Sequence, residues 1–310
     1  MIDVLLACYN GEKYLEEQVT SILSQTLKNW ELYISDDGST DETESIIDKL
    51  ELRDPRIHKL QTGIIHKCAA YHFIDMLQYS NNDYFCLCDQ DDYWLPNKLS
   101  TSLSRIQELE RRYGKSVPLL VFSDMKIVDE NLATIAESFL VDSGKNNIKP
   151  IIEEILNTSI AAGCTMMGNG ALRRLVCKTG YKPVIVMHDW WIADIAVSCG
   201  YMEKISDQLV LYRQHGNNSV GAEHYSIASK IKSFKSNAVK YWNNCRQIDY
   251  LYSNYNSYMS VIVKNKVLTY IETLNNRNLS QIYTLWRQGL LKKSLVKKIS
   301  QVLTILFTKP

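Results

Sequence analysis

This chain lacks any marked excess of positive or negative charge. Its 35 lysines and arginines against 34 aspartates and glutamates leave a net charge of +1, so no overall field attracts a polyanion and no nucleic-acid partner is expected. Paired thiols are also missing. Cys8, Cys68, Cys86, Cys88, Cys164, Cys177, Cys199 and Cys245 are scattered, mostly through apolar runs, with no CxxC pair and no zinc-like spacing, which argues for free thiols in a reducing, cytoplasmic compartment. No stretch reaches the roughly 18 uninterrupted apolar residues a membrane span requires. The run Ile2 to Cys8 has no basic segment before it and no small-residue cleavage site after it, so no secretion signal is expected. No internal repeat is visible.

What is present is 310 residues with 45% hydrophobic content, enough for one large α/β domain with an appended segment. Short apolar runs alternate with amphipathic stretches in the first half, the pattern of βαβ units around a parallel sheet. Strands are expected at Val4 to Cys8, Glu31 to Ser35, Ile57 to Leu60, Tyr84 to Cys88 and Leu119 to Ser123. Between them, helices are expected over Tyr14 to Gln25, from a cap at Thr40 or Asp41 to about Leu50, over Ala69 to Tyr79 and over Pro96 to Tyr113. Residues 141–160 read as polar and irregular, and Gly163 to Gly170 as a glycine-rich turn or strand that opens an acceptor-side half. From about Tyr225 the pattern turns helical, which sets a catalytic region of 1–222, in halves 1–125 and 126–222, and a helical extension over 223–310.

In such a sheet, ligands sit beyond the carboxyl ends of the strands, and the chemistry-bearing motifs fall there. Cys88-Asp89-Gln90-Asp91-Asp92 places three carboxylates in four residues after an apolar strand. Carboxylates this close repel unless a cation such as Mg²⁺ or Mn²⁺ neutralises them; the competing reading is an Asp-rich turn capping the helix at Pro96. Asp36-Asp37-Gly38-Ser39 offers a carboxylate to a nucleobase imide or a ribose hydroxyl, although Asp-Gly turns before helices are common. In His188-Asp189-Trp190-Trp191 an aspartate wedged against indole rings suits a general base, with His188, Trp190 and Trp191 as a platform for a sugar face; core tryptophans after a helix-start Asp would look the same. Tyr212-Arg213-Gln214-His215 offers Arg213 as a diphosphate clamp and His215 as a ligand for a metal or a phosphate oxygen, against the alternative of a solvated loop.

Read in order, Val4 to Gly11, Ser21 to Thr26, Asp36 to Asp41 and Asp89 to Asp92 resemble the opening pattern of glycosyltransferase family 2, the inverting enzymes of the GT-A fold. Gly163 to Met167, His188 to Trp190 and Tyr212 to His215 look most like the rhamnosyltransferases of bacterial surface polysaccharides. The resemblance implies a GT-A, Rossmann-like, mostly parallel sheet flanked by helices. It further implies that Asp37 contacts the base, that Ala7 and Tyr9 line the nucleotide pocket, that Asp89 and Asp91 form a metal-binding Asp-x-Asp motif, and that Asp189 is the catalytic base. Asp92 and Arg213 then join Asp89 at the nucleotide-sugar, and His215 joins the metal. The expected reaction moves L-rhamnose from dTDP-β-L-rhamnose, or in the alternative a hexose from a UDP-hexose, to a saccharide hydroxyl, with Mn²⁺ or Mg²⁺. One departure is the loop Gly63-Ile64-Ile65-His66-Lys67-Cys68, where related enzymes tend to carry an Asn-x-Gly turn.

Two rivals are weighed. A nucleotidyltransferase would want a glycine-rich basic phosphate loop after the first strand, whereas Cys8-Tyr9-Asn10-Gly11-Glu12 has one glycine and an acid. A non-catalytic nucleotide-sugar-binding module would not need Asp89, Asp91 and Asp189 together. At the C-terminus, Lys292, Lys293, Lys297 and Lys298 interleave with Leu290, Leu291, Leu295, Val296 and Ile299. Such a basic amphipathic helix suits the inner face of a membrane and an acceptor on a polyprenyl diphosphate; packing on the catalytic region or on a second copy, as a homodimer, is the alternative.

Overall fold

The structure is a computed structural model that describes residues 1–215 and 227–308, the side chains of 227–235 excepted. Gly216 to Ser219, at the end of the polar stretch, and the expected boundary at residue 222 lie outside the described residues. In chain order the first half runs β1 (Ile2–Cys8), α1 (Leu15–Leu23), β2 (Trp30–Asp36), α2 (Thr43–Arg53), β3 (Ile57–Lys59), α3 (Ala69–Met76), β4 (Tyr84–Asp89), β5 (Tyr93–Trp94) and α4 (Lys98–Tyr113). It continues with β6 (Leu119–Val128), β7 (Thr134–Ala136), α5 (Phe139–Asp142), α6 (Ile152–Ile155), β8 (Met166–Asn169), α7 (Gly170–Thr179), α8 (His188–Cys199) and β9 (Tyr201–Arg213). Helices α9 (Ile227–Tyr255), α10 (Val261–Asn276), α11 (Leu279–Arg287) and α12 (Leu295–Phe307) follow.

The strands form one sheet in the order β3-β2-β1-β4-β8-β6-β9-β5, with β7 beside β6. The first four are parallel, β8 runs against both β4 and β6, and β9 returns parallel to β6. Period-two alternation divides the core, because successive strand side chains point to opposite faces. Leu5, Phe85, Leu87, Leu120 and Phe122 meet α3, α7, α8 and the C-terminal helices. Val4, Leu6, Leu32, Ile34, Cys86 and Val121 meet α1, α2 and α4.

Several expected limits moved, each for a local reason. Helix α4 starts at Lys98 rather than Pro96, because the Pro96 carbonyl accepts from Thr26 N at 2.8 Å and holds that residue in the preceding turn. Strand β6 runs past Ser123 to Val128. Its interior Asp124 is accommodated by Ser138 Oγ (2.5 Å), Leu140 N (3.2 Å) and Met125 N (2.8 Å), so a buried acid does not end the strand. The region 141–160 contains the end of α5 and all of α6.

The C-terminal helices share the core of the sheet's α8 face. Gln247 on α9 accepts from Val186 N (2.7 Å) and donates to Asp194 of α8 (2.8 Å), while Asn244 donates to Leu156 O (2.7 Å). Among the described residues no helix is long and apolar enough to cross a membrane.

Candidate active site

Parallel pairing brings the first three motifs to one edge. Cys8 lies opposite Asp36 and Ala7 opposite both Ser35 and Asp89, so β1, β2 and β4 end level with one another and their following turns face the same space. The exposed Tyr9 follows β1. Gln90 closes over it with both ends of its amide, accepting from Tyr9 N (2.8 Å) and donating to Tyr9 O (2.9 Å). Gly11 permits this approach, since a Cβ there would lie 2.4 Å from Gln90 Oε1. Asp36 is held by Ser39, whose backbone N–H and hydroxyl both donate to it. Asp37 is nearly buried, with the His66 backbone N–H donating to its Oδ1.

The acidic turn between β4 and β5 is braced from the far end of the chain. Strand β9 pairs antiparallel with β5, Tyr93 opposite Leu211, which delivers Arg213 and His215 beside the carboxylates. Arg213 N donates to Asp92 Oδ1 (3.3 Å) and His215 Nε2 lies 2.8 Å from Asp91 Oδ2. The donor atoms of Asp89, Asp92 and Cys164 all lie within 4.8 Å of one another. Burial first, then the charges of Asp91 and Asp189, push the Asp89 carboxyl up to about 7. Asp92 is also raised well above its ordinary value, again by burial first and then by Asp89 and Asp91.

Asp189 comes from more than ninety residues away. It sits in the first turn of α8, where the helix dipole favours an anion. Burial nevertheless raises its carboxyl to about 6, against the opposing pull of the Trp190 and Gly163 backbone N–H groups and the Lys145 charge. Its charge is felt at Asp89, so the expected base lies within electrostatic reach of the expected metal-binding aspartate. Gly163 is small for a reason: a Cβ there would stand 2.7 Å from His188 Nε2.

Three expectations are corrected. Trp191 is completely buried against Tyr250 and Tyr255, and His188 is buried on Phe73, with burial lowering its imidazole to about 3. Neither presents a face to a sugar; the half-buried Trp190, whose indole N–H reaches Ile155 O at 3.1 Å, is the member left near the surface. Arg213 is 2% exposed, and its guanidinium donates to Asp91 O, Glu130 O and Glu17 while stacking on Tyr14. It is therefore a strut under the acidic turn, not a clamp reaching for diphosphate. Asp92, 1% exposed, lies beneath the surface that a nucleotide-sugar would touch. Cys164, Gln90, Gly163 and Lys145 were not singled out from the sequence as site residues, because nothing local marks a thiol, an amide, a glycine or a lysine as facing an acid far along the chain.

The residues fit a divalent cation. Asp92 Oδ2 is buried with no hydrogen-bond partner among the described residues, and the raised Asp89 and Asp92 show a group of acids short of countercharge. Oxygen donors suit Mg²⁺ or Mn²⁺, and the nearby Cys164 thiol, raised well above its ordinary value by burial and then by Asp92 and Asp89, stays protonated and is a poor ligand for a hard ion.

The half-parallel sheet with its level strand ends and acidic turn defines a GT-A glycosyltransferase fold. It aligns with S. aureus TarS 1-349 in complex with UDP-GlcNAc (TM-score 0.56, 17% identity, 93% of this chain and 79% of that one). It also aligns with the mannosyltransferase PcManGT from Pyrobaculum calidifontis in complex with GDP-Man and Mn²⁺ (TM-score 0.52, 13% identity, 100% and 88%). Residues 3–119 match the family model for glycosyl transferase family 2. The dTDP-rhamnosyl transferase RfbG of Shigella flexneri is 28% identical over 240 residues, 73% of this chain and 77% of that protein. The UDP-Glc:alpha-D-GlcNAc-diphosphoundecaprenol beta-1,3-glucosyltransferase WfgD of Escherichia coli is 36% identical over 104 residues, 34% of this chain and 40% of that one.

Proposed function

We propose that this glycosyltransferase transfers L-rhamnose from dTDP-β-L-rhamnose, with inversion, to a hydroxyl of a lipid-linked oligosaccharide in bacterial surface-polysaccharide synthesis. The observation that carries the mechanism is the Asp189 carboxyl, raised to about 6 and within electrostatic reach of Asp89. A carboxylate of that basicity is ionised at neutral pH yet basic enough to take a proton as it develops. In the proposed step Asp189 accepts the acceptor's hydroxyl proton as its oxygen bonds to the anomeric carbon. The bond from that carbon to the diphosphate breaks on the opposite face, and no covalent enzyme intermediate is needed. Asp37 holds the nucleobase with Ala7 and Tyr9 beside it, and Trp190 flanks the acceptor. Asp89 with Asp91 or Asp92 would hold Mn²⁺ or Mg²⁺, His215 orienting Asp91. When bound, that ion supplies positive charge to the departing diphosphate.

The rhamnosyl donor is favoured because the match to RfbG extends over 73% of the chain and so reaches into the acceptor side, whereas the match to WfgD covers 34%. The higher identity of the latter keeps a UDP-hexose as the second reading. The test is binding of dTDP-rhamnose and UDP-hexoses with and without Mn²⁺. Metal-dependent binding of dTDP-rhamnose alone is the expected result; preference for a UDP-hexose overturns the donor, and metal-independent binding overturns the role of Asp89.

The lipid-linked acceptor draws support from α12, which is built inside out. Its inward side is largely polar, with Gln301 donating to Asn157 (2.7 Å) and Thr304 buried beside Ile305. Outward it shows Leu295, Val296, Ile299, Leu303 and Phe307, each 42–76% exposed, with the exposed Tyr283 and Trp286 on α11 and Lys297 alongside. An apolar stripe with aromatic and basic flanks fits an anionic lipid surface. Replacing Val296, Ile299 and Leu303 together by serine should abolish sedimentation with anionic vesicles at unchanged Tm. Equal sedimentation of the two proteins would exclude this face, and a concentration-dependent dimer lost in the variant would assign it to a second copy.

A further inference from the structure

The loop that departs from the related enzymes, residues 63–68, folds over the Asp36-Asp37-Gly38 turn. Ile65 lies against Gly38, where a Cβ would be 3.0 Å from its Cδ1 and where the backbone stands at φ +84°, a conformation that favours glycine. This contact carries His66 inward. Its side chain is fully covered, stacked on His72 with ring centroids 5.2 Å apart and set edge-on to Tyr71 at 4.4 Å. The imidazole stands between two acids, Nδ1 3.4 Å from Asp37 Oδ1 and Nε2 3.2 Å from Asp75 Oδ2. The His66 backbone N–H donates to that same Asp37 Oδ1. Among the described residues Asp37 Oδ2 has no hydrogen-bond partner. One carboxylate oxygen is thus held by the backbone N–H, with the imidazole Nδ1 beside it but not hydrogen-bonded to it, while the other is left to accept.

We infer that His66 is a positioning residue for nucleobase selection. Braced on helix α3 through Asp75, it holds the Asp37 carboxylate so that Oδ2 accepts only from a base with an imide N–H at that place. Uracil and thymine have one; cytosine presents a lone pair there and is repelled by the carboxylate. The inference rests on the reading of Asp37 as the nucleobase contact, and it concerns the base, not the sugar.

The two ring nitrogens can be tested separately, because an asparagine amide replaces Nδ1 and a glutamine amide replaces Nε2. Dissociation constants for UDP, dTDP and CDP are measured with the full-length protein and its His66→Ala, His66→Asn, His66→Gln and Asp37→Ala variants. For the alanine and glutamine variants, UDP and dTDP binding should weaken about tenfold, from loss of the close Nδ1 contact that steadies the Asp37 carboxylate. CDP binding should change little, so that the UDP-to-CDP preference falls by the same factor. His66→Asn should stay within about threefold of the parent, and kcat at saturating donor within about twofold in all three. A merely structural role would weaken all three nucleotides alike, and that result overturns the inference. If Asp37→Ala loses UDP while every His66 variant binds as the parent does, the positioning role fails and the Asp37 contact survives. If Asp37→Ala binds UDP as the parent does, the base-contact reading fails and takes this inference with it.

Discussion

Replacing Asp189 by asparagine should abolish transfer and make the protein more stable. The amide keeps the oxygen that accepts from Trp190 N at 2.6 Å, so the helix start is preserved and only the ionisable group is removed. Folding raises this carboxyl from its ordinary 3.8 to about 6, chiefly by burial. Below about pH 4 the group is neutral in both folded and unfolded chains and imposes no penalty. Between about pH 4 and 6 the unfolded chain ionises first, so stability is lost as pH rises through the folded value, and above about pH 7 the penalty is complete. Two units correspond to about 3 kcal/mol, reduced to about 2 kcal/mol for partial solvent screening. In a chain of this size that is a Tm gain of about 3 °C for Asp189→Asn at pH 7.5, vanishing near pH 4. In the same window the kcat/KM of the parent, measured by nucleoside diphosphate release at saturating metal, should fall about tenfold per unit below pH 6, and the variant should lose about 10³-fold at pH 7.5. An unchanged or lower Tm at pH 7.5, a Tm gain that persists at pH 4, or a parent profile flat from pH 5 to 7 would each refute the assignment.

Arg213→Ala removes the strut and leaves the Asp91 and Glu130 carbonyls unpaired, for a loss of about 3 kcal/mol and a Tm lower by roughly 5 °C. Lysine should not rescue it, since one ammonium cannot reproduce the fork; a Tm within 2 °C of the parent, by calorimetry, would contradict this. Gly163→Ala forces the buried His188 ring away from the 2.7 Å contact and should lower kcat about tenfold or more with donor binding intact, a split that steady-state kinetics reads directly. If Asp89 holds the cation, Mn²⁺ at about 100 times its Kd should stabilise the parent by about 2.7 kcal/mol and leave Asp89→Asn unmoved, with chelation reversing the gain. Equal stabilisation of both proteins would move the ion elsewhere.

The sequence determined what local order can write. Strand runs ending in acids, a single glycine after β1 and amphipathic helices between strands placed Asp37 and Asp89 at the carboxyl edge, because parallel βαβ units put all such ends on one side. It also marked Asp189 and Arg213 as unusual. Tertiary structure alone decided what each of them faces. His188-Asp189-Trp190-Trp191 is one helical turn, so its side chains fan through a full circle: the Asp189 charge reaches Asp89 while Trp191 enters the core, and four neighbouring letters carry no sign of which is which. Arg213 reads as a phosphate clamp until β9 pairs with β5 and buries it under Asp91. His66 sits in a loop without periodicity, and its place between Asp37 and Asp75 depends on a packing of Ile65 on Gly38 that no spacing encodes. Position along an edge follows from backbone periodicity, but burial, and with it charge and basicity, is set by groups brought together from distant parts of the chain.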